Sequence, residues 1–358
     1  MTPHIDDLPR ALLEWFDGAR RDMPWRRDRD PYGVWVSEVM LQQTRVEAVV
    51  PYFVRWMRRF PDLDALARAD LDEVLAEWEG LGYYSRARNL HAAARVVRDD
   101  LYGAIPDTRD GLKALPGVGD YTAGAVASIA FGRAEPAVDG NARRVLSRLF
   151  DVAAPTAAAV RERAASLVPA SRPGDFNQGL MELGATICKP RSPRCAECPL
   201  APWCLALARG TVAERPGRST RPAVPTFDVG VAVAVSPGGR ALLVRRVEEG
   251  MLGGLWEFPG RVAEGEAAPA AAARALAPLA PDARLVRPIA TVDHLYSHRR
   301  HIYHAFLFES PDEAEPDAAA IAGGGWTAAA WERPDPAGRA LPVAQRRIAR
   351  AVARLAPC

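Results

Sequence analysis

Residues 115–132 read LPGVGDYTAGAVASIAFG, and residues 137–150 read AVDGNARRVLSRLF. The first string opens on Leu115-Pro116-Gly117-Val118-Gly119, which follows a short amphipathic stretch and precedes a helix beginning near Tyr121. Gly117 and Gly119 permit positive φ and close approach of the backbone to a phosphate. The helix N-terminus that follows supplies free N–H groups to an anion. An ordinary helix–helix turn would account for these five residues equally well. In the second string Asp139 fits the N-cap of a helix opened by Gly140-Asn141-Ala142.

Working outward, residues 8 to about 210 read as successive helices. Between Val34 and Phe60, the apolar Val36, Val39, Met40, Val46, Val50, Phe53, Val54 and Met57 recur at spacings near three and four. Asp72–Trp78, Ala87–Val97 and Thr122–Phe131 repeat the pattern. The run ERPGRSTRPAVP, within residues 214–226, is a linker signal. Beyond it, Val229–Val235 and Ala241–Val244 around Ser236-Pro237-Gly238-Gly239 predict a hairpin. Ile302–Phe308 predicts another strand and Ala267–Leu279 a helix. A chain of 358 residues exceeds one ordinary core. The expected division is a helical domain over 1–213, a linker over 214–226 and an α+β domain over 227–358.

Four of the five cysteines, Cys188, Cys195, Cys198 and Cys204, fall in one run spaced C-x6-C-x2-C-x5-C. Clustered cysteines in a reducing compartment indicate metal before disulfides. Zinc and an iron–sulfur centre both take four thiolates, although the uneven spacing departs from the paired knuckles of zinc ribbons. Cys358 is read as an incidental terminal thiol.

These strings resemble the endonuclease III and adenine glycosylase superfamily of helix–hairpin–helix DNA glycosylases, over roughly residues 10–205. The resemblance implies a [4Fe–4S] cluster on Cys188, Cys195, Cys198 and Cys204. It also implies that Asp139 stabilises the sugar cation formed as a base departs. Ser37–Thr44, SEVMLQQT, is similar to the adenine-specific, MutY-type adenine DNA glycosylase branch. There the residue matching Glu38 protonates adenine N7, and apolar neighbours would raise its pKa. Tyr121 stands where bifunctional relatives carry the Schiff-base lysine, and the chain has only Lys113 and Lys189. A monofunctional enzyme is therefore implied, with Tyr121 assisting and Asn141 orienting water or Asp139.

The same resemblance makes Gly80–Leu90, GLGYYSRARNL, the loop that wedges into the duplex. Tyr83 and Leu81 would stack or contact DNA there, as Gln43 would from the other side. Trp25, Arg26 and Gln178 match positions lining the adenine pocket. Asp120 departs from the basic residue that relatives often carry.

Residues 250–281 resemble a Nudix box retaining Gly260, Glu266 and Arg274. Ala275, Pro278 and Leu279 replace its metal-binding carboxylates, so a hard cation lacks its oxygen ligands. The implied role is recognition of 8-oxoguanine by an inert Nudix-like domain, with Tyr296-Ser297-His298 standing for the family's F-S-H motif and Ser297 and His298 reading the lesion.

Net charge is only +2, but Lys189, Arg191, Arg194, Arg209, Arg215, Arg218 and Arg221 crowd one stretch and suit phosphate contacts. The N-terminal MTPHIDDLPR has acids where a signal peptide is basic, and no apolar run is long enough to span a membrane. The expected setting is the bacterial cytoplasm, as a monomer on duplex DNA carrying A:8-oxoguanine or A:G mispairs. A lyase acting on thymine or oxidised pyrimidines, and a protein that only binds lesions, are the competing readings.

Overall fold

Short helices build the first two-thirds of the chain. The computed structural model describes residues 4–217, 223–336 and 338–354. In order they are α1 (Leu8–Ala19), α2 (Pro31–Leu41), α3 (Val46–Arg59), α4 (Leu63–Arg68), α5 (Leu71–Trp78), α6 (Ser85–Asp100), α7 (Arg109–Lys113), α8 (Asp120–Ile129), α9 (Gly140–Leu149), α10 (Ala157–Ala165), α11 (Pro173–Thr186) and α12 (Leu205–Ala208). Prolines at the first turn start α1, α2 and α11, where a missing N–H costs nothing.

The expected helical run from Val34 to Phe60 is two helices, because Gln43 takes φ +56° and turns the chain between them. Asp30 caps α2 by accepting from the Gly33 N–H at 2.7 Å. Every residue of α2 from Tyr32 to Met40 is buried. α8 is likewise buried from Thr122 to Ile129 and packs on both α2 and α11. Leu12 of α1, Leu146 of α9 and Phe176, Leu180 and Leu183 of α11 share one apolar core. Each such side chain contributes on the order of 2 kcal/mol on burial.

Contacts divide the chain into two compact units, and the division is not a single cut. One unit holds the helices over residues 1–68 and 89–220; the other joins 69–88 to everything from 221 on. The sequence reading had placed 69–88 in the helical domain. Residues 218–222 of the expected linker, and Cys358, lie outside the described residues.

The second unit is built on β1 (Thr226–Val235), β2 (Ala241–Arg246), β3 (Trp256–Glu257), β4 (Gly260–Val262), β5 (Arg284–Leu295), β6 (Arg300–Glu309) and β7 (Trp326–Glu332), with helices α13 (Ala268–Leu276), α14 (Ala318–Gly323) and α15 (Val343–Ala353). The sheet runs β3-β2-β1-β6-β5, with β4 on β1 and β7 on β2. β1 and β6 are parallel, pairing Thr226 with Arg300 through Val235 with Glu309.

Along β1 the side chains alternate between two cores. Val229, Val231 and Val233 meet Ile348 and Val352 of α15, whereas Ala232 and Ala234 meet Ala272 and Leu276 of α13. The expected hairpin, the strand at 302–308 and the helix near 267–279 are all present. β5 and β7 were not expected from the sequence. β5 is a mostly exposed edge strand containing Arg284, Arg287 and Pro288, and β7 is TAAA between tryptophans, so neither shows the apolar alternation of a half-buried strand.

Among the described residues no helix is long and apolar enough to cross a membrane.

Candidate active site

A cleft of about 1510 Å³ in the helical unit is lined by Glu38 of α2, Tyr121 of α8, and Asp139 and Asn141 at the start of α9. Glu38 is only 5% exposed. Burial, opposed by the Tyr121 hydrogen bond and reinforced by the nearby Asp139 charge, pushes its carboxyl up to about 7. The Tyr121 hydroxyl donates to Glu38 Oε2 and contacts Met181 Sδ at 3.4 Å.

Asp139 is both a cap and a cleft carboxylate. Its Oδ1 accepts from the Ala142 N–H at 2.7 Å, and its Oδ2 accepts from Asn141 Nδ2 at 2.9 Å. Burial raises its pKa against those hydrogen bonds. Two carboxyls thus face one cleft, and one of them is placed to hold a proton near neutrality.

The wall beside Glu38 brings Trp25, Arg26 and Gln178 together. Arg26 Nε donates to Gln178 Oε1 at 3.0 Å, and its far nitrogen donates to Glu182 Oε2 at 3.0 Å. Glu182 is 1% exposed and also binds Arg21 at 2.5 Å. Sequence reading missed Arg21 and Glu182. The signal was present for Glu182, since it follows Gln178 by four residues and therefore shares its helix face. Trp25 packs edge-on against Phe53, centroids 5.4 Å apart. Gln43 is exposed and lines the same cleft.

At the hairpin the two glycines differ. Gly117 has φ +73°, and a Cβ there would meet Asn89 Cβ at 2.5 Å. Gly119 is extended (φ −91°) and caps α8 with open space around its Cα. Positive φ is therefore needed at Gly117 alone, while Gly119 leaves the helix N-terminus uncovered. Asp120 binds Lys113 Nζ at 2.7 Å and also pairs with Arg109, so this carboxylate neutralises cations beside the hairpin.

Behind the cleft, one chain of hydrogen bonds leads from Asp139 to the cysteine loop. Asn141 Oδ1 accepts from Arg144 at 2.9 Å, and Arg144 donates to Gly184 O and Cys188 O, each at 2.8 Å. Gly184 is required at that crossing, because a Cβ would lie 2.6 Å from Asn141 Cβ.

Arg148, 3% exposed, donates to Cys188 Sγ at 3.2 Å and to Lys189 O at 2.8 Å. Cys188 and Cys198 pack on the helical core. Burial pushes the Cys198 thiol up to about 11, with the other three cysteines adding to the shift. Among the described residues no three His, Cys, Asp or Glu side chains are arranged to hold a single metal ion. Four cysteines gathered in one short loop beside the buried Arg148 guanidinium suit a thiolate-bound iron–sulfur centre.

The basic stretch is partly neutralised. Arg194 pairs with Glu197, and Arg209 and Arg215 both pair with Asp151. Lys189 and Arg191 are exposed, and Arg218 and Arg221 lie outside the described residues.

The remaining predicted site residues belong to the second unit. Leu81 is buried, whereas Tyr83 is 43% exposed at φ +49°. Ser297 and His298 are exposed at the two-residue turn between β5 and β6, which the Tyr296 N–H closes by donating to Arg299 O at 2.8 Å. The Tyr296 hydroxyl bonds that of Tyr303 at 2.7 Å. In the Nudix-like stretch, Glu266 pairs with Arg274.

Family models match three stretches of the chain. Residues 36–170 match the "HhH-GPD superfamily base excision DNA repair protein", residues 230–351 match a "NUDIX domain", and residues 188–204 match the "Iron-sulfur binding domain of endonuclease III". The fold and cleft thus define a helix–hairpin–helix base excision repair protein with a [4Fe–4S] loop and a Nudix-like domain. Among relatives, the adenine DNA glycosylase of Mycolicibacterium smegmatis is 45% identical over 214 residues, covering 58% of this chain and 73% of that protein. The chain belongs to the adenine DNA glycosylase family. The mouse adenine DNA glycosylase is 43% identical over 304 residues, 69% of this chain but 59% of the mouse protein. The chain thus spans less than two thirds of that longer relative. A solved thermostable thymine-DNA glycosylase superposes with a TM-score of 0.54 at 32% identity, covering 57% of this chain and 97% of its own.

Proposed function

We propose that this chain is a monofunctional DNA glycosylase that hydrolyses the N-glycosidic bond of adenine mispaired with 8-oxoguanine or guanine in duplex DNA. It would act as a monomer on chromosomal DNA in the bacterial cytoplasm. The observation that carries the reading is Glu38, a carboxyl buried in an apolar helix, held at about 7 and facing Asp139 across one cleft.

In this reading adenine enters the wall formed by Trp25, Arg26 and Gln178, and Glu38 delivers its proton to adenine N7. The glycosidic electron pair leaves with the base. Asp139, capped and held by Asn141, carries the charge opposite the developing oxocarbenium ion. Water then adds at the sugar and passes its proton to the carboxylate left on Glu38, giving free adenine and an abasic site. Tyr121 keeps Glu38 oriented. Lys113 lines the cleft but is engaged by Asp120, which supports hydrolysis over Schiff-base chemistry. When bound by Cys188, Cys195, Cys198 and Cys204, the cluster supplies a cross-link that shapes the loop behind Arg144 and Arg148. Gly117, Gly119 and the exposed Lys189 and Arg191 would contact phosphates. Tyr83 would fill the space left by the extruded nucleotide, with Gln43 entering from the other side, while Ser297 and His298 read the opposite base; Leu81, expected from the sequence to contact DNA, is instead buried.

The test is incubation with duplexes carrying A:8-oxoguanine, A:G or an oxidised pyrimidine pair. Release of free adenine, with strand breaks only after alkali, is expected. Strand cleavage without alkali, or excision of pyrimidines, overturns the reading.

A further inference from the structure

The segment carrying the proposed wedge, Tyr83, packs with the sheet unit rather than with the helices that flank it in sequence. The loop itself is stiff. Trp78 Nε1 donates to Gly82 O at 3.0 Å, and the Arg86 guanidinium lies 5.2 Å from the Trp78 ring and 5.5 Å from the Tyr83 ring. Arg86 also donates to Gly82 O at 3.0 Å.

Its anchor is Glu79, just beyond α5. Arg346 of α15 grips that carboxylate with two bonds, Nε to Oε1 at 2.7 Å and a terminal nitrogen to Oε2 at 2.6 Å, while the Leu341 N–H donates to Oε2 at 3.2 Å. Two-point guanidinium–carboxylate bonds fix orientation as well as distance. A second tie joins Asp72 to Arg245 at 3.0 Å and to Arg339 at 3.4 Å. Arg88 makes a third, donating to Gly253 O at 2.5 Å.

α15 in turn packs on β5, sharing a core in which Ile348 and Val352 meet Val292. Three residues past Val292, β5 ends at Leu295 and the chain enters Tyr296-Ser297-His298. The route from wedge to turn is therefore continuous: Tyr83, Glu79, Arg346, α15, β5, Ser297.

We propose that Glu79 and Arg346 are positioning residues that make the Tyr83 loop and the Ser297–His298 turn one mechanical body, so that contact with 8-oxoguanine at the turn sets how fully Tyr83 is inserted. The inference rests on the proposed roles of Tyr83 and Ser297. Neither clasp residue is among those lining the cleft, so its loss should leave bond cleavage alone and weaken the link between lesion and wedge.

The experiment uses the full, cluster-loaded chain and three variants: Glu79→Gln, Arg346→Met and the pair. Single-turnover excision is measured on A:8-oxoguanine and A:G duplexes, and amide exchange is followed across residues 80–88. Each single variant is expected to lower the 8-oxoguanine-to-guanine rate ratio about tenfold and to speed exchange of the loop, with the A:G rate changed less than about twofold. The pair should be no worse than either alone, since both residues serve one clasp. Glu79→Gln keeps the acceptor for the Leu341 N–H, so it remains informative if Arg346→Met folds poorly. An unchanged ratio in Glu79→Gln, or losses that add in the pair, overturns the proposal. Failure of the wild-type chain to excise adenine from either duplex would instead overturn the function on which it rests.

Discussion

Glu38 and Glu257 are both glutamates almost sealed from water, at 5% and 6% exposure, one on a helix of the first unit and one on a strand of the second. Burial raises the pKa of both. The difference lies in what answers the charge. Glu257 has Arg246 at 2.7 Å, so its carboxylate form is matched by a cation. Glu38 has a tyrosine hydroxyl, while the nearby Asp139 charge pushes its pKa further up. Glu182 repeats the first pattern with two arginines. A buried carboxylate paired with guanidinium holds structure together; one paired with a neutral donor beside a second carboxylate can keep a proton and give it up.

That contrast can be broken by substitution. The largest effect should come from Glu38→Gln, which removes the proton donor and should slow excision by about a thousandfold or more while duplex binding persists; full activity would end its role as acid. Asp139→Asn should cost on the order of a hundredfold in single-turnover rate. Glu257→Gln should leave the excision rate per folded molecule intact but lower unfolding free energy by about 1 kcal/mol, read by urea titration of the cluster-loaded protein. Tyr121→Phe removes the bond that favours ionised Glu38. Excision should fall about tenfold, and its alkaline limb, expected near pH 7 in the parent, should move upward by on the order of one unit. Ser297→Ala should be the mildest, eroding the preference for 8-oxoguanine over guanine by about fivefold with little change on A:G.

Stability gives an independent reading of the same pair. Folded Glu38 keeps its proton up to about 7, whereas the unfolded chain releases it near 4.5. Between those values the folded state binds more protons, so the contribution of Glu38 to stability is greatest at low pH and falls as pH rises through the window. In Glu38→Gln that slope should vanish, and thermal melts at a series of pH values would detect its persistence.

Much of this was legible in the chain. The cysteine run, the hairpin glycines, SEVMLQQT and Asp139 stand out through the resemblance of their strings to the glycosylase superfamily, and their neighbours along the helix supply the burial. The residues that escaped notice do so for a physical reason. Arg144, Arg148 and Glu182 act through partners tens of residues away, and an isolated arginine or glutamate looks the same whether it binds a carbonyl across the core or faces water. β5 and β7 escaped because an exposed edge and an alanine-rich strand lack alternation. The allegiance of 69–88 to the sheet unit escaped for the same reason as the arginines, since Glu79 and Asp72 reveal nothing until Arg346 and Arg245 are beside them.

That allegiance bears on how the protein can be dissected. The proline- and arginine-rich stretch after Glu214 invites a cut, yet a fragment ending there would retain Trp78, Glu79 and Asp72 while discarding Arg346, Leu341, Arg245 and Arg339. Acidic groups matched by guanidinium in the whole chain would be stranded on the shortened one, and the tyrosine loop would lose its footing along with them. A truncation meant to isolate catalysis would thus disturb the Tyr83 loop as well, and its residual activity would understate what the helices do by themselves.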